Sequence, residues 1–576
     1  MATARVDDTP RAMWLLNHTA ARKFEIPMMK SSGIDEVFLP KIYPDDPNFR
    51  SASVDWGEDK GLSIDAHDLS VLNATDWYKG GTRSAWEIAN KYFDLAFIMM
   101  YSTEVFESAQ KHFKGQVLWR TYGLSHGNTY SSVLSTHLIY QKAYAAIRRL
   151  YDRFWFAEAY DHLHEVEAPF LAKRSVFLPL GMNSASRPKY DEWNGEDRRV
   201  LFVCPDINFN PVYEEIYRQF KINFPGLPYV VGGAQSIAVD DPRVLGYLPY
   251  EDHLKNMRNM RLMFYHSTEP THIHFHPFEA VVAGMPLIFM GGGILDRFGG
   301  VGLPGRCATV REARSKMDRI LAGDEAFVRR VRDSQKILLE PMKPENCEKA
   351  WSDGISRVLA NAHKFRVADS SAISVPTKIA ILATPTDIQA AEDVADLLSN
   401  GARLAEKELE VVIGVARPNG PGVNRSARKS RYNLRDFGWE TADHGHVARA
   451  LHYGRTFSKP KRDQYVFPND GMNNFMDCDL WVLASGRLKH EIVPFRPCIL
   501  HADRSVLRAS IAKGALPESW MKGIATAADV VVTNEEGAAG IFLGVEGVEP
   551  SKLRVISPRA TDRDSASYWE AVEECL

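Results

Sequence analysis

At 576 residues the chain is too long for a single hydrophobic core, and three or four domains of ordinary size are expected. Its 45% hydrophobic and 25% charged content is that of a globular protein, and a formal net charge of −3 excludes bulk attraction to nucleic acid or to an anionic membrane. Six scattered cysteines (Cys204, Cys307, Cys347, Cys478, Cys498, Cys575) with no C-x-x-C exclude a zinc ribbon or disulfide frame and suit a reducing cytoplasm. The N-terminus MATARVDDTPR has no apolar core of a signal peptide, and no run of about 18 apolar residues is present to span a bilayer, so a cytoplasmic location is expected.

In chain order, residues 12–18 (AMWLLNH) read as a buried strand, FEIPMMKSSG as a helix weakened by Pro27, and EVFLPKIY as a second strand. Residues 44–75, rich in Asp, Ser and Pro, predict an extended loop. TRSAWEIANKYF follows as a helix, FDLAFIMMY and GQVLWRTYGL as strands, and STHLIYQKAYAAIRRLYDRFW as a strongly helical stretch before RSVFLPLGM. The alternation predicts a Rossmann-like domain over residues 1–185. A polar linker leads to RRVLFVCP, which opens a second parallel sheet spanning 198–365, with VYEEIYRQFKINF as its first helix and LPYVVGG as its second strand. Residues 366–376 read as a linker, and TKIAILATP opens a third α/β domain over 377–576.

An internal repeat links the first and third domains. FDLAFIMMY and GQVLWRTYGL correspond to CDLWVLASG and RPCILHADRS, and the segments ending RSVFLPLGM and KLRVISPRA also match.

The most informative stretch is 244–290. VLGYL predicts a short strand, YEDHLKNMRNM a helix and RLMFYHS a strand; after a loop, FEAVVAG predicts a helix entered through Pro277 and ended by Gly284, and MPLIFM a strand. The loop Thr268–Pro277 lies at a strand's carboxyl end and feeds a helix N-terminus, where open α/β sheets bind ligands and free amides favour phosphate. Glu279 falls in the first helical turn, either as a simple dipole partner or turned outward to accept ribose hydroxyls. His272, His274 and His276 alternate as a metal-binding strand would, but no second ligand cluster accompanies them, and they read as a loop with no metal. Gly232 and Gly233 follow a strand, where they permit either a close backbone approach or a simple turn.

These residues resemble the donor-binding core of GT-B glycosyltransferases, the retaining group with a Glu, seven residues and a second Glu. Gly246-Tyr247, then Glu251 or Asp252, then Leu254 carry the first part of the resemblance, and PFEAVVAGMPLI from Pro277 to Ile288 the second. The second Glu is Glu279; the first would stand at 271, where this chain has Thr271, with Glu269 two residues earlier. The resemblance implies two facing Rossmann-like domains, acceptor on the first and nucleotide sugar on the second. It also implies that 377–576 is the acceptor-side half of a second, incomplete GT-B unit, either cut from a longer tandem enzyme, the favoured reading, or natively incomplete.

By this resemblance Glu279 holds the ribose and the amides at 277–279 the phosphates, while Glu269 or Thr271 with His274 and His276 meets the donor sugar. Tyr247 and Phe278 belong to the same binding motif, and His18 and His126 are the candidate catalytic residues of the acceptor side, beside Glu269. The family's Arg and Lys after the first donor-domain strand are missing from CPDINFNPVYEE, which has Asp206 instead; Arg297, after Gly291–Gly293, is the candidate substitute. The implied activity is metal-independent, configuration-retaining hexosyl transfer from a nucleotide-diphosphate sugar to a saccharide or lipid-linked saccharide, in surface polysaccharide biosynthesis, with no tightly bound cofactor. The basic run 425–431 (RSARKSR) reads as a solvated loop, or more sharply as a peripheral membrane or acidic-acceptor contact. The alternative is a catalytically degenerate GT-B module that positions acceptor for an active partner.

Overall fold

Six parallel strands form the first sheet of the computed structural model: β1 (Arg11–Leu15), β2 (Glu36–Phe38), β3 (Leu95–Ile98), β4 (Gln116–Thr121), β5 (Phe154–Glu158) and β6 (Ser175–Phe177), in the order β2-β1-β3-β4-β5-β6. Every residue of β1, β3, β4 and β5 is buried, as a parallel sheet covered on both faces requires. The structure describes residues 9–45, 52–99, 103–124, 127–136, 143–367, 376–417, 430–441, 465–470, 474–484, 491–492, 497–502, 525, 528–534, 536–545, 548–556 and 561–576.

The second sheet is also wholly parallel. It comprises β7 (Asp197–Val203), β8 (Tyr229–Gly232), β9 (Met260–Tyr265), β10 (Leu287–Met290) and β11 (Arg306–Cys307), in the order β11-β10-β9-β7-β8. The order reverses between β7 and β9, and the crevice beyond such a reversal is where open α/β sheets bind ligands. The third sheet runs β17-β15-β14-β13-β12-β16-β18-β19-β20. Its strands are β12 (Thr377–Ala383), β13 (Leu409–Ala416), β14 (Asn433–Thr441), β15 (Tyr465–Asn469), β16 (Leu480–Leu483), β17 (Glu491–Ile492), β18 (Cys498–Ala502), β19 (Val530–Thr533) and β20 (Leu553–Val555). The α/β class and the Rossmann-like sheets expected from the sequence are thus present. The order β13-β12-β16-β18-β19-β20 reproduces that of the first sheet. A shared device closes both at the amino end: Arg11 N donates to Asp94 Oδ2 (3.1 Å) and Lys378 N to Asp479 Oδ2 (2.8 Å).

The chain folds as two compact units. The first comprises Met1–Ser102, His112–Tyr130 and Arg153–Lys364; the second comprises Thr103–Lys111, Ser131–Asp152 and Phe365–Leu576. Unit 1 holds the first two sheets. Helix Pro344–Val367, which follows the second sheet in sequence, packs Cys347, Trp351, Ile355 and Val358 into the core of the first, against Trp14, Leu118 and Val176. In unit 2, helix Ala143–Leu150 brings Arg148 and Arg149 to the fully buried Asp479 carboxylate.

Two local expectations are corrected and one, the helix that holds Pro27, is met. Residues 44–75 are not a plain loop, since a 3-10 turn at Glu58–Gly61 and helix Ala66–Asn73 lie within them. VLGYL does not form a strand: Val244 makes only an isolated bridge to Val231, and Gly246 turns the chain at φ +69°. Pro27 does not break its helix, which runs Thr19–Ser31. The Lys23 carbonyl that loses the residue-27 amide is instead bonded by Asn183 Nδ2 at 2.9 Å.

Candidate functional site

The carboxyl edge of the second sheet is built from four loops. After β7, Asp206 adopts φ +52° and buries its carboxylate against Ser236, accepting from the amide (3.1 Å) and the hydroxyl (2.7 Å). Gln235 ties this loop to the one after β8, donating to the carbonyls of Cys204 (2.9 Å) and Gly233 (3.0 Å). Gly233, at φ +104°, leaves no space for a side chain, whose first carbon would lie 2.9 Å from Pro205 N. Its neighbour Gly232 has ordinary room, 3.4 Å from Leu201. The close approach at Gly233 is therefore made by the chain's own loop, and Asp206 is a structural carboxylate where phosphate chemistry calls for a cation.

The loop after β9 carries the histidines. Tyr265 OH and His274 Nδ1 lie 3.0 Å apart, and the His272, His274 and His276 rings follow one another at 4.7 and 5.2 Å. Residues 266–275 form neither strand nor helix, so the sequence alternation does not set one strand face. Burial, with the nearby imidazoles of His266 and His253, pushes His276 down to about 3, so it is neutral at physiological pH. Among the described residues no three His, Cys, Asp or Glu converge as a metal site.

Helix His276–Ala283 begins at this loop, with Pro277 in its first turn and Gly284 as its left-handed C-cap at φ +81°. A side chain at Gly284 would meet Tyr190 O at 2.4 Å, so this left-handed helix end before Pro286 requires glycine by contact as well as by conformation. Glu279 sits in the first turn and accepts a hydrogen bond from His253 Nε2 at 3.1 Å. That bond raises the His253 pKa against the opposing effect of burial. The amides of Phe278 and Glu279 both donate to the Phe275 carbonyl (3.0 Å each), and proline has no N–H, so the amides at 277–279 are not free for phosphate in this arrangement. Phe278 is fully buried against Phe298, a core position. Tyr247 stands out into solvent, 79% exposed.

The remaining segment follows β10. Gly292 N donates to Asp296 Oδ2 (2.7 Å), and a side chain on Gly293 would crowd Ser267 O and Thr268, so this glycine loop is shaped by packing on the histidine loop. Ile294 N bonds the Glu269 carbonyl at 2.9 Å. Arg297 reaches Glu165 at 3.8 Å.

Glu165 belongs to the facing edge, the carboxyl end of the first sheet. There His18 caps helix Thr19–Ser31, its Nδ1 accepting from Ala21 N at 3.3 Å, and its ring lies 5.6 Å from that of Phe275. Glu25, fully buried, accepts from Trp14 Nε1 (2.9 Å), Arg120 Nε (2.8 Å) and Tyr122 OH (2.8 Å). Burial opposes the Arg120 charge, but Glu25 and Tyr122 outweigh it and raise its pKa. His126 lies outside the described residues.

The two edges touch. His162 Nε2 bonds Pro270 O at 2.8 Å, Thr271 Oγ1 donates to Leu124 O at 3.2 Å, and His272 Nδ1 bonds Gly123 O at 3.2 Å. Of the residues expected at the site, His18, Thr271 and Arg297 make contacts across the two edges. Glu269, His274, His276 and Glu279 lie on the loop and helix start that carry the contacts of Pro270 and His272, with Phe278 packed on Phe298. Gly232 and Gly233 serve the neighbouring β7–β8 loops. Sequence reasoning missed His253, His162 and Gly123. Only Gly123, in a turn-forming TYGL segment after a strand, carried a readable signal; nothing in the spacing links residue 253 to residue 279.

No family profile and no curated protein matches the sequence. Among solved structures the chain is similar to sucrose-phosphate synthase from Thermosynechococcus elongatus, with TM-score 0.40 and 12% identity over 61% of this chain and 99% of that one. HepE from Anabaena, solved with UDP-glucose, has TM-score 0.40 and 11% identity over 60% and 99%. An O-GlcNAc transferase mutant from Thermobaculum terrenum has TM-score 0.37 and 15% identity over 63% and 69%.

Proposed function

We propose that unit 1 is a GT-B glycosyltransferase unit that moves a sugar from a nucleotide-diphosphate donor to a saccharide or lipid-linked saccharide. The observation that carries this reading is the seam itself, where the carboxyl edges of two parallel sheets face each other with Glu279 in the first turn of the entering helix. In this reading the exposed Tyr247 offers a face to the base, and Glu279 accepts the ribose hydroxyls with the carboxylate oxygen that His253 does not occupy. Imidazoles of the 272–276 loop and Arg297 meet the diphosphate and sugar, and transfer proceeds by electrostatic stabilisation of the departing diphosphate. Retention of configuration, metal independence and a place in surface polysaccharide assembly belong to the same proposal, as do a cytoplasmic location and peripheral membrane contact through 425–431. The strand order shared by the first and third sheets supports reading 377–576 as the acceptor-side half of a second such unit.

A second reading, a catalytically degenerate unit that positions acceptor for an active partner, is favoured by Asp206 standing where a phosphate-binding cation is wanted. A thermal-shift panel of nucleoside diphosphates and nucleotide sugars, on wild type and Glu279→Ala, separates the two. A ligand at about 100 times its dissociation constant stabilises the fold by about 2.7 kcal/mol. The transferase reading predicts a shift that Glu279→Ala abolishes; no shift with any nucleotide, from folded protein, supports the degenerate module.

A further inference from the structure

We propose that His164, oriented by the buried carboxylate of Glu158, takes the proton of the acceptor's hydroxyl during transfer, with Glu158 as its positioning residue. The inference deepens, and rests on, the reading of this seam as the transfer site.

Glu158 is the last residue of β5 and is 2% exposed. Its carboxylate accepts from a single residue. The His164 amide donates to Oε2 (2.9 Å), and His164 Nδ1 lies 2.9 Å from Oε1 and 3.1 Å from Oε2. An ionised carboxylate only accepts, so Nδ1 carries the proton of the neutral ring and Nε2 keeps its lone pair. No described residue bonds Nε2, and the His164 side chain is 39% exposed. Burial lifts the Glu158 carboxyl above its ordinary value, against the pull of the His164 bonds. A more basic carboxylate holds an imidazolium more strongly. An imidazole fixed through Nδ1, with Nε2 turned to solvent, is built as a general base.

The turn that carries the pair borders the donor side. The Tyr160 ring lies 6.3 Å from that of Phe298, His162 bonds the Pro270 carbonyl and Glu165 reaches Arg297. Nor does the fold itself demand the pair. In the third sheet, whose strands match in order and register, Thr533 of β19 takes the place of Glu158. Thr533 is fully buried, and its hydroxyl bonds no described residue. The same edge is thus built without a carboxylate.

In the step, the acceptor's oxygen bonds the anomeric carbon of the donor as the bond from that carbon to the diphosphate breaks. The diphosphate leaves with the electron pair, and the hydroxyl proton passes to His164 Nε2. The imidazolium, stabilised by Glu158, then returns the proton to solvent.

Two measurements on the full chain test the assignment. Without ligand, nitrogen NMR of isotope-labelled histidines is expected to show His164, identified by the signal lost in His164→Gln, as the Nδ1–H tautomer. The second follows nucleoside diphosphate release from UDP-glucose, GDP-mannose, ADP-glucose and dTDP-glucose with water as acceptor, beside the binding of each nucleotide. His164→Ala is expected to lower kcat roughly 100-fold while nucleotide Kd stays within about threefold, with part of the rate restored by added imidazole. Glu158→Gln is expected to lower kcat roughly tenfold with the same unchanged Kd. An Nε2–H tautomer in wild type, full turnover by folded His164→Ala, or nucleotide binding without turnover overturns the base. A wild type that binds no nucleotide contradicts the transfer reading itself, and the base falls with it.

Discussion

The buried carboxylate of Glu25 offers the sharpest energetic test of how the first sheet holds its edge of the seam. It is the counter-charge of Arg120, with both side chains at 0% exposure, and it also accepts from Trp14 and Tyr122. Glu25→Gln keeps the shape but removes the charge, leaving Arg120 with the Ala157 carbonyl (3.2 Å) and no anion. Removing one partner of a buried pair costs about 3–5 kcal/mol, and melting temperature falls by roughly 1.5–2 °C per kcal/mol in a unit of this size, more than 300 residues. A drop of about 5–10 °C in the unit 1 transition is therefore expected by scanning calorimetry. Glu25→Leu/Arg120→Met, which buries no lone charge, is expected to be less destabilised than either single replacement. A Glu25→Gln protein within about 1 kcal/mol of wild type would refute the assignment of Arg120 and Glu25 as a coupled pair.

Two further outcomes follow from the same kind of geometry. Asp479→Asn strips the buried partner of Arg148 and Arg149 and is expected to destabilise unit 2 by about 3–5 kcal/mol in urea unfolding, while unit 1 keeps its midpoint. The His253 imidazole should titrate above 6.5 by NMR, and below 6.5 in Glu279→Gln, because burial alone then remains to act on it. Its folded pKa is raised, so the stabilisation from the Glu279 bond is complete below 6.5 and is lost as pH rises through the folded value.

Much of the fold was legible because parallel α/β sheets write themselves as fully apolar strands alternating with amphipathic helices. The strand LAFI and the strand QVLWRT are buried throughout, and their alternation with helices fixed the class. Helix Pro344–Val367 was less readable: its apolar positions face the first sheet, a choice that no local pattern encodes. Pro27 survives in its helix because Asn183, far away in sequence, satisfies the orphaned carbonyl. At the site, the motif from Pro277 to Pro286 was legible since a helix start, a left-handed glycine cap and a strand each have local signatures. What the motif does not carry is pairing. That Glu279 faces His253, that Asp206 turns inward onto Ser236, and that Thr271 lies on Gly123 are long-range contacts with no periodicity to reveal them.

Under the proposed function, a nucleoside diphosphate binds at the carboxyl edge of the second sheet. Photolabelling with azido-uridine, azido-adenosine and azido-guanosine diphosphates, followed by peptide mapping, tests it most directly. One base is expected to label peptides within residues 230–300, competed by the unmodified nucleotide and lost in Glu279→Ala. Labelling confined to other peptides, or none from folded protein with any base, would contradict it.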